Sequence, residues 1–460
     1  MIWDWIIDIG KEMRDMKQMV SYILLLILTG AVLSGCVQEP QEQQPPVKTA
    51  EDVAVDIVTL LMQKNFTGVY RYFNTSITSQ VTAEEFETIW TEQLAVSHGD
   101  ITRIVRSRVA NESGYEVVYV TCNFTKVQVL DIKITFNTEQ KVISLLVVPT
   151  QNQIEYTPPS YVDVNTFTET NVTVGEGQWR LPATLTVPKG TGPYPAVVLV
   201  HGSGPNDQDE TYGPNKPFRD LAWGLASKGI IVLRYEKRTK HYPEACAAFQ
   251  NFTVQDETIE DAVAAVDVVF ASSLVNQSRI FVLGHSLGGM VAPRLATQDT
   301  RITGLILLAA PTRHLEDLLL EQTRYLMNLS GANQSEEVAE LERLVMKIKT
   351  LDINQTENIL GAPRSYWIDL STYDPVIIAQ TLHIPLLILQ GKRDYQVTMT
   401  DFARWNETFL HNASVTMKIY PSLNHLFITG TGVPTNTEYL IEGHVAEVVV
   451  SYIASWLAVQ

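Results

Sequence analysis

Residues 281–290 read FVLGHSLGGM. An apolar run suited to a buried strand stops at Gly284, turns through His285 and Ser286, and continues into a glycine-rich helix start. A serine between two glycines, directly after a strand and directly before a helix, fits the G-x-S-x-G elbow. Glycines at 284 and 288 free the turn of β-carbons that would crowd it, so the Ser286 hydroxyl is lifted clear of the sheet. The Leu287 amide, at the helix N-terminus, then faces any oxyanion that develops there. Taken alone, the turn leaves open whether Ser286 is a nucleophile or an incidental serine in a tight bend.

The flanking sequence sets the fold. From Tyr194 onward strands and helices alternate: YPAVVLVHG, a helix near PFRDLAWGLASKG, IIVLRYEKR, a helix TIEDAVAAVDVVFASS, SRIFVLGHS, a helix GGMVAPRLATQD, and ITGLILLAAP. Continuous apolar strands separated by helices predict a mostly parallel sheet covered on both faces. Residues 312–380 interrupt this order with helical periods before IPLLILQGKRD and SVTMKIYPSLNH resume the strands. A block so placed reads as a helical cap over the C-terminal strand ends, where open α/β sheets bind ligands. The α/β domain is expected over 160–460, after a linker at TPPSYVDVNTF.

A serine hydroxyl is a poor nucleophile at neutral pH, so it needs a base, and the base needs an orienting acid. In the chain order Ser, Asp, His, the acid follows a later strand and the histidine a still later one. Asp394 lies just past PLLILQ, and His425 lies in the loop past KIY. Asp401, in the following helix, is a second acid candidate. Among other histidines, His285 reads as packing in the elbow, His314 and His383 flank the cap, His411 precedes the last strand, and His444 is placed in the terminal helix. The second oxyanion donor is expected from VVLVHGSGPNDQDE, where the Ser203 backbone amide can turn inward between Gly202 and Gly204. Asp207, Asp209 and Glu210 in the same loop read as solvated acids in preference to a cation site. No metal site and no cofactor is required.

LVHGSG, GPNKPFRDLAWGLASKGI, VLRYEKRT, FVLGHSLGGM, APTRHLEDLLLEQ and LQGKRDYQV together resemble the α/β-hydrolase superfamily, close to secreted bacterial and archaeal esterases with an extra N-terminal domain. The resemblance implies an α/β-hydrolase fold and a carboxylesterase favouring short acyl chains, with Ser286 as nucleophile, Asp394 as acid and His425 as base. Serine aminopeptidases and acyl-thioesterases share this fold and triad, so fold alone does not choose the substrate. A peptidase would want cap carboxylates for a substrate ammonium, and Glu336, Glu337, Glu340 or Glu342 could serve. A thioesterase would want a basic patch for coenzyme A phosphates, and none is evident. A non-catalytic surface receptor of the same fold is the remaining alternative, although such relatives usually lose the serine or histidine that this chain keeps.

Residues 51–150 follow a different pattern. AEDVAVDIVTLLMQKNFTGVYRYF and TAEEFETIWTEQLAVSHG have apolar residues at three- and four-residue spacing, the second with a Thr-x-x-Glu start, which predicts two helices. From Ile101 the period changes to two through ITRIVRSRVA, YEVVYVTCNF, VQVLDIKITFN and VISLLVVP, a four-stranded antiparallel meander. This small α+β domain resembles nuclear-transport-factor-like modules. Such modules carry a pocket or mediate dimer or substrate contacts, so a homodimer is a candidate state. His98 reads as a loop histidine.

The stretch YILLLILTGAVLSGC is apolar, short for a membrane-spanning helix, and preceded by Lys11, Arg14 and Lys17. Leu33–Ser34–Gly35–Cys36 resembles a lipoprotein lipobox, which implies that the Cys36 thiol takes a lipid; an uncleaved signal anchor and a plain secretory signal are the alternatives. Residues 1–36 are therefore expected to be a lipoprotein-type signal segment and 37–50 a flexible tether, giving an extracytoplasmic protein held at the cell membrane. Twelve N-x-Ser/Thr sequons, from Asn65 to Asn412, take up more than half of the asparagines and suit a glycosylated surface protein. Cys122 and Cys246 read as free or buried thiols. A formal net charge of −17 repels phosphate backbones and excludes a nucleic-acid partner. The expected partner is a small-molecule ester.

Overall fold

A computed structural model describes residues 48–460 apart from 80, 113–114, 127–128, 151–155, 331–335 and 356. The expected signal segment, Cys36 and most of the tether lie outside the described residues. The described residues form two compact units, one of Tyr156–Glu438 with Glu442–Gln460 and the other of residues 48–150 with Tyr439–Ile441.

In the N-terminal unit, α1 (Ala50–Met62) opens with a capping box. The Thr49 hydroxyl accepts from the Asp52 N–H at 3.1 Å, and the Asp52 carboxylate accepts the Thr49 N–H at 3.0 Å. Helix therefore begins one residue inside the stretch expected to be tether. Short helices α2 (Phe66–Tyr70), α3 (Thr75–Thr78) and α4 (Ala83–Thr88) follow, then a π turn and α5 (Ala95–His98). His98, expected in a loop, instead closes α5, where its Nδ1 lies 3.2 Å from the Leu94 carbonyl oxygen. Strands β1 (Ile101–Glu112), β2 (Tyr115–Phe124), β3 (Val129–Phe136) and β4 (Val142–Pro149) pair antiparallel in chain order. Val53, Ile57, Val58 and Leu61 of α1 share one core with Val118, Val120 and Cys122 of β2 and with Ile132 and Ile134 of β3. Val118, Val120 and Cys122, like Ile132 and Ile134, lie two residues apart, so each set shares the strand face that joins this core.

The second unit is built on an eight-stranded sheet of order β14-β13-β10-β9-β7-β8-β6-β5. It starts with the hairpin β5 (Phe167–Val174) and β6 (Leu181–Pro188), followed by β7 (Tyr194–Val200), α6 (Pro217–Ala226) and β8 (Ile231–Tyr235). After β8 come α7 (Arg238–His241), α8 (Pro243–Ala248) and α9 (Glu260–Phe270), then β9 (Val275–His285), α10 (Leu287–Gln298) and β10 (Ile302–Leu308). The cap follows as α11 (Leu315–Ser330), α12 (Glu336–Thr350), the two-residue strands β11 (Asn358–Ile359) and β12 (Ala362–Pro363), α13 (Arg364–Ser371) and α14 (Pro375–Gln380). Strand β13 (Leu386–Gly391), α15 (Met399–Phe409), β14 (Val415–Tyr420) and α16 (Glu447–Val459) complete the unit. Only β6 runs against its neighbours β5 and β8; the other pairings are parallel.

Successive residues of the central strands enter opposite cores. Val197 and Leu199 pack with Phe218, Leu221 and Leu225 of α6 and with Val449, Val450 and Ile453 of α16. Ala196, Val198 and Val200 pack on the other face with Ala262 and Val266 of α9 and with Met290 and Val291 of α10. Each fully buried aliphatic side chain contributes about 1.5–3 kcal/mol, and burial on both faces is why the strand sequences are unbroken apolar runs. Strand β7 lies between β9 and β8, so the chain leaves it toward one side and later returns on the other. This switch point opens a crevice beyond the carboxyl ends of β7 and β9, where residues 201–204 and 284–288 both lie.

Helix α6 approaches α16 at Gly224, where an added β-carbon would lie 2.7 Å from Val450 Cγ1 and 2.8 Å from the Tyr161 ring. Gly224→Ala gains about 1 kcal/mol of helix propensity and loses about 1–3 kcal/mol to overpacking. The expected result is a net loss of about 1 kcal/mol, read as a lower denaturant midpoint with an unchanged slope.

Candidate active site

Strand β9 ends at His285 and α10 begins at Leu287, which leaves Ser286 between them at φ 53° and ψ −120°. Non-glycine residues rarely adopt this backbone, and it persists only where its surroundings impose it. The Ser286 N–H donates to the Leu308 carbonyl at 2.9 Å, and the Ser286 carbonyl accepts the Met290 N–H at 2.9 Å. A β-carbon on Gly284 would lie 2.3 Å from the Gly288 carbonyl oxygen, and one on Gly288 would lie 2.2 Å from that of Val200. The two glycines thus let α10 sit directly against the ends of β9 and β7.

Asp394 follows β13 and His425 follows β14. One Asp394 oxygen accepts the Gln396 and Val397 N–H groups at 2.8 and 2.9 Å. The other lies 2.7 Å from His425 Nδ1 and 3.3 Å from Gln390 Nε2. A carboxylate held this way keeps the proton of a neutral His425 on Nδ1 and leaves Nε2 free to accept one. The His425 carbonyl accepts from His285 Nε2 at 2.9 Å, and the two rings lie 4.7 Å apart, which ties the His425 loop to the elbow. No hydrogen bond joins Ser286 Oγ to His425 Nε2 among the described residues; without substrate this contact is often long. Among the described residues Asp401 pairs with no histidine. It accepts from the Thr312 N–H at 2.9 Å and from Arg313 at 2.7 Å, and so anchors the segment entering the cap.

Gly202 abuts the elbow, since a β-carbon there would lie 3.2 Å from Ser286 Cβ. Its carbonyl accepts from Lys237 Nζ at 2.8 Å and from Asn206 Nδ2 at 3.2 Å. The Gly202–Ser203 peptide is trans, so the Ser203 N–H points away from Lys237. Leu287 contributes the first N–H of α10, which has no partner within the helix.

The acids of the 201–210 loop correct the expectation of a solvated cluster. Asp207 accepts from the Thr211 N–H and hydroxyl at 2.9 and 2.8 Å, and Asp209 pairs with Arg234 and Arg219, each at 2.7 Å. Glu210 is fully buried at φ 51°, accepts the Gly202 N–H at 2.7 Å, and sets its other oxygen 2.9 Å from His285 Nδ1, off hydrogen-bond alignment. Burial pushes the Glu210 carboxyl up, but His285, His201 and the Gly202 N–H together outweigh it and hold the carboxyl below its ordinary value. Burial likewise pushes His285 down, and Glu210 holds it above the ordinary imidazole value. His444, expected in the terminal helix, instead precedes α16 and lies 3.0 Å from Asp220.

A cavity of about 430 Å³ opens beside Ser203 and Gly204. Leu315, Leu319, Leu360 and Trp367 of the cap line one part of it, and Cys246, Phe249 and Phe252 line another. The second group comes from the excursion after β8, where Cys246 reads in the sequence only as a free or buried thiol and the remaining local signals are Tyr242–Pro243 and two phenylalanines outside any helical period.

The sheet order, the serine elbow and the inserted cap define an α/β-hydrolase. A family model described as the prolyl oligopeptidase family matches residues 221–445, and one described as a protein of unknown function (DUF3887) matches residues 54–145. The latter coincides with the helices and meander of the N-terminal unit, an order consistent with nuclear-transport-factor-like modules. The chain is 39% identical over 397 residues to esterase EstD of Thermotoga maritima, covering 86% of this chain and 92% of that protein. At this likeness over nearly the whole of both, the chain belongs to the same α/β-hydrolase family as EstD. Similar solved structures include a hyperthermophilic esterase from Pyrobaculum calidifontis, at 16% identity over 63% of this chain and 85% of that one with a TM-score of 0.41. An acylaminoacyl peptidase from Pyrococcus horikoshii matches at 12% identity over 78% of this chain and 56% of that one, with a TM-score of 0.43.

The Glu210–His285 pair carries a pH signature. His285 is raised, so its contribution is complete below its unfolded value of about 6.5 and fades as pH rises through the folded value; Glu210 is lowered, so its contribution is complete above about 4.3 and is lost on acidification. Glu210→Gln leaves a buried imidazolium without a counter-charge, an expected loss of about 3 kcal/mol. Thermal unfolding of both proteins across pH checks this. The gap in midpoint should be widest at about pH 5–6.5 and should narrow on either side.

Proposed function

We propose that the protein is a serine carboxylesterase that hydrolyses small-molecule esters through an acyl-enzyme at Ser286, with His425 as base, Asp394 as orienting acid, and the Ser203 and Leu287 amides facing the oxyanion. The observation that carries this reading is the Asp394–His425 hydrogen bond at 2.7 Å, on a loop tied through His285 to the strained elbow. Family membership with an esterase supports the reaction class.

Ser286 Oγ attacks the ester carbonyl carbon while its proton passes to His425 Nε2, and the carbonyl oxygen becomes an oxyanion facing the two amides. An oxyanion donor of this kind contributes about 10²–10³ in rate. The bond to the alcohol oxygen breaks as Nε2 returns the proton to the leaving group. Water then gives a proton to Nε2 and attacks the acyl carbon, and Ser286 leaves with that proton.

The cavity suits the apolar arm of an ester. A peptidase is less well served, because Glu340 and Glu342 pair with Arg343 and Arg324 and neither lines the cavity. Glu257, which does line it, is engaged by Lys237 and Tyr366. A thioesterase finds no lysine or arginine among the described lining residues for coenzyme A phosphates. We further propose a location outside the cytoplasm, tethered to the membrane through Cys36. The lipobox-like segment supports it, as does the position of the sequons: eleven of the twelve asparagines are described and none is buried.

Ser286→Ala should lower kcat on p-nitrophenyl acetate and butyrate by at least about 10⁴-fold, and Asp394→Asn by about 10⁴-fold. Equal nitrophenol release by wild type and Ser286→Ala would end the esterase reading. Leu319→Trp narrows the cavity, so kcat/KM on p-nitrophenyl hexanoate should fall relative to acetate by about fourfold for each methylene excluded. An equal fall for both esters would place the alcohol arm in the cavity instead.

A further inference from the structure

We propose that the buried Lys237–Glu257 ion pair positions the oxyanion-hole peptide and connects it to the cap, a role that rests on the Ser203 amide serving as an oxyanion donor. Lys237 Nζ donates to the Gly202 carbonyl at 2.8 Å and to Glu257 Oε1 at 2.6 Å. Tyr366, on α13 of the cap, donates its hydroxyl to Glu257 Oε2 at 2.6 Å. The Lys237 and Glu257 side chains are 2% and 8% exposed, so solvent screens the pair little.

Gly202 has no side chain, yet both of its backbone polar groups are held by buried charges, the N–H by Glu210 and the carbonyl by Lys237. In a trans peptide the carbonyl of residue 202 and the N–H of residue 203 point in opposite directions, so fixing one aims the other. An ammonium on the carbonyl also polarises the peptide and strengthens donation from its N–H. Packing alone does not call for such a pair, since apolar residues of similar volume stabilise a fold equally well or better. An apolar pair, however, would leave the Gly202 carbonyl without its charged donor. Glu257 and Tyr366 also line the cavity, so a ligand there touches the groups that aim the amide. Lys237, Glu257 and Tyr366 are therefore positioning residues that act through Gly202.

The test uses Lys237→Met, Tyr366→Phe and the double variant Lys237→Met/Glu257→Gln in the otherwise intact protein. Each is assayed for ester turnover, for affinity toward a trifluoromethyl ketone that mimics the tetrahedral intermediate, and for thermal unfolding. Lys237→Met strands Glu257 and lowers both stability and turnover. The double variant removes the stranded charge and recovers most of the unfolding midpoint. Its kcat nevertheless stays about 30–100-fold below wild type with KM within about threefold, and its ketone affinity falls by the same factor as kcat. Tyr366→Phe produces a smaller kcat loss of the same kind. A double variant that regains kcat together with its midpoint, or one that changes KM and leaves kcat alone, overturns the proposal. Ser286→Ala separates this from failure of the underlying reading. If that variant is inactive, the double variant decides the role of the ion pair alone; if it turns over ester like wild type, the active-site assignment and the ion-pair role fall together.

Discussion

The approach of α10 to the strand ends is the constraint on which the site depends. Gly288 lies so close to the Val200 carbonyl that any β-carbon would force the helix outward, and Gly284 meets Gly288 with the same economy of space. That contact fixes the elbow relative to the loop leaving β7, which brings Gly202 against Ser286. It also leaves Ser286 no relaxed backbone, because its N–H is committed to β10 and its carbonyl to the first turn of α10. The nucleophile candidate and the loop facing it are thus set by main-chain packing, before any side-chain hydrogen bond is counted.

Side-chain bonds then refine what the backbone has set. The carboxylates near the elbow are buried and each has its own group to hold: Asp394 orients His425, and Glu210 holds Gly202 and His285. Leaving a buried charge unpaired is expensive, so each charge is matched locally, and the matches link the loops after β7, β9, β13 and β14 into one network. The segments that carry the triad candidates are loops in name only.

The sheet, the cap and the positions of Ser286, Asp394 and His425 past their strands were legible in the sequence because they follow from local pattern. Val197 to Val200 fill two cores at once, so they appear as an uninterrupted apolar run. Glu210 was not legible, since DQDE has the composition of a solvated turn and burial depends on His285 and Gly202, which reach it only through the fold. Lys237 was missed for the same reason: RYEKRT reads as the polar end of a strand, and its partners are a carbonyl before it and a carboxylate after it in the chain. His98 and His444 were misplaced by only a few residues, because element ends carry the weakest pattern.

The cavity beside Ser203 is walled by the excursion after β8 and by the cap, and none of its described lining residues belongs to the eight-stranded sheet. Both segments are insertions between strands, and the polypeptide between β10 and β13 can change in length and composition with little effect on strand pairing. Selection acting on substrate preference can therefore work on these two stretches almost separately from selection acting on stability. Family members could diverge widely in diet while sharing one hydrolytic engine, and exchange of the excursion or the cap between relatives offers a direct route to new ester selectivity.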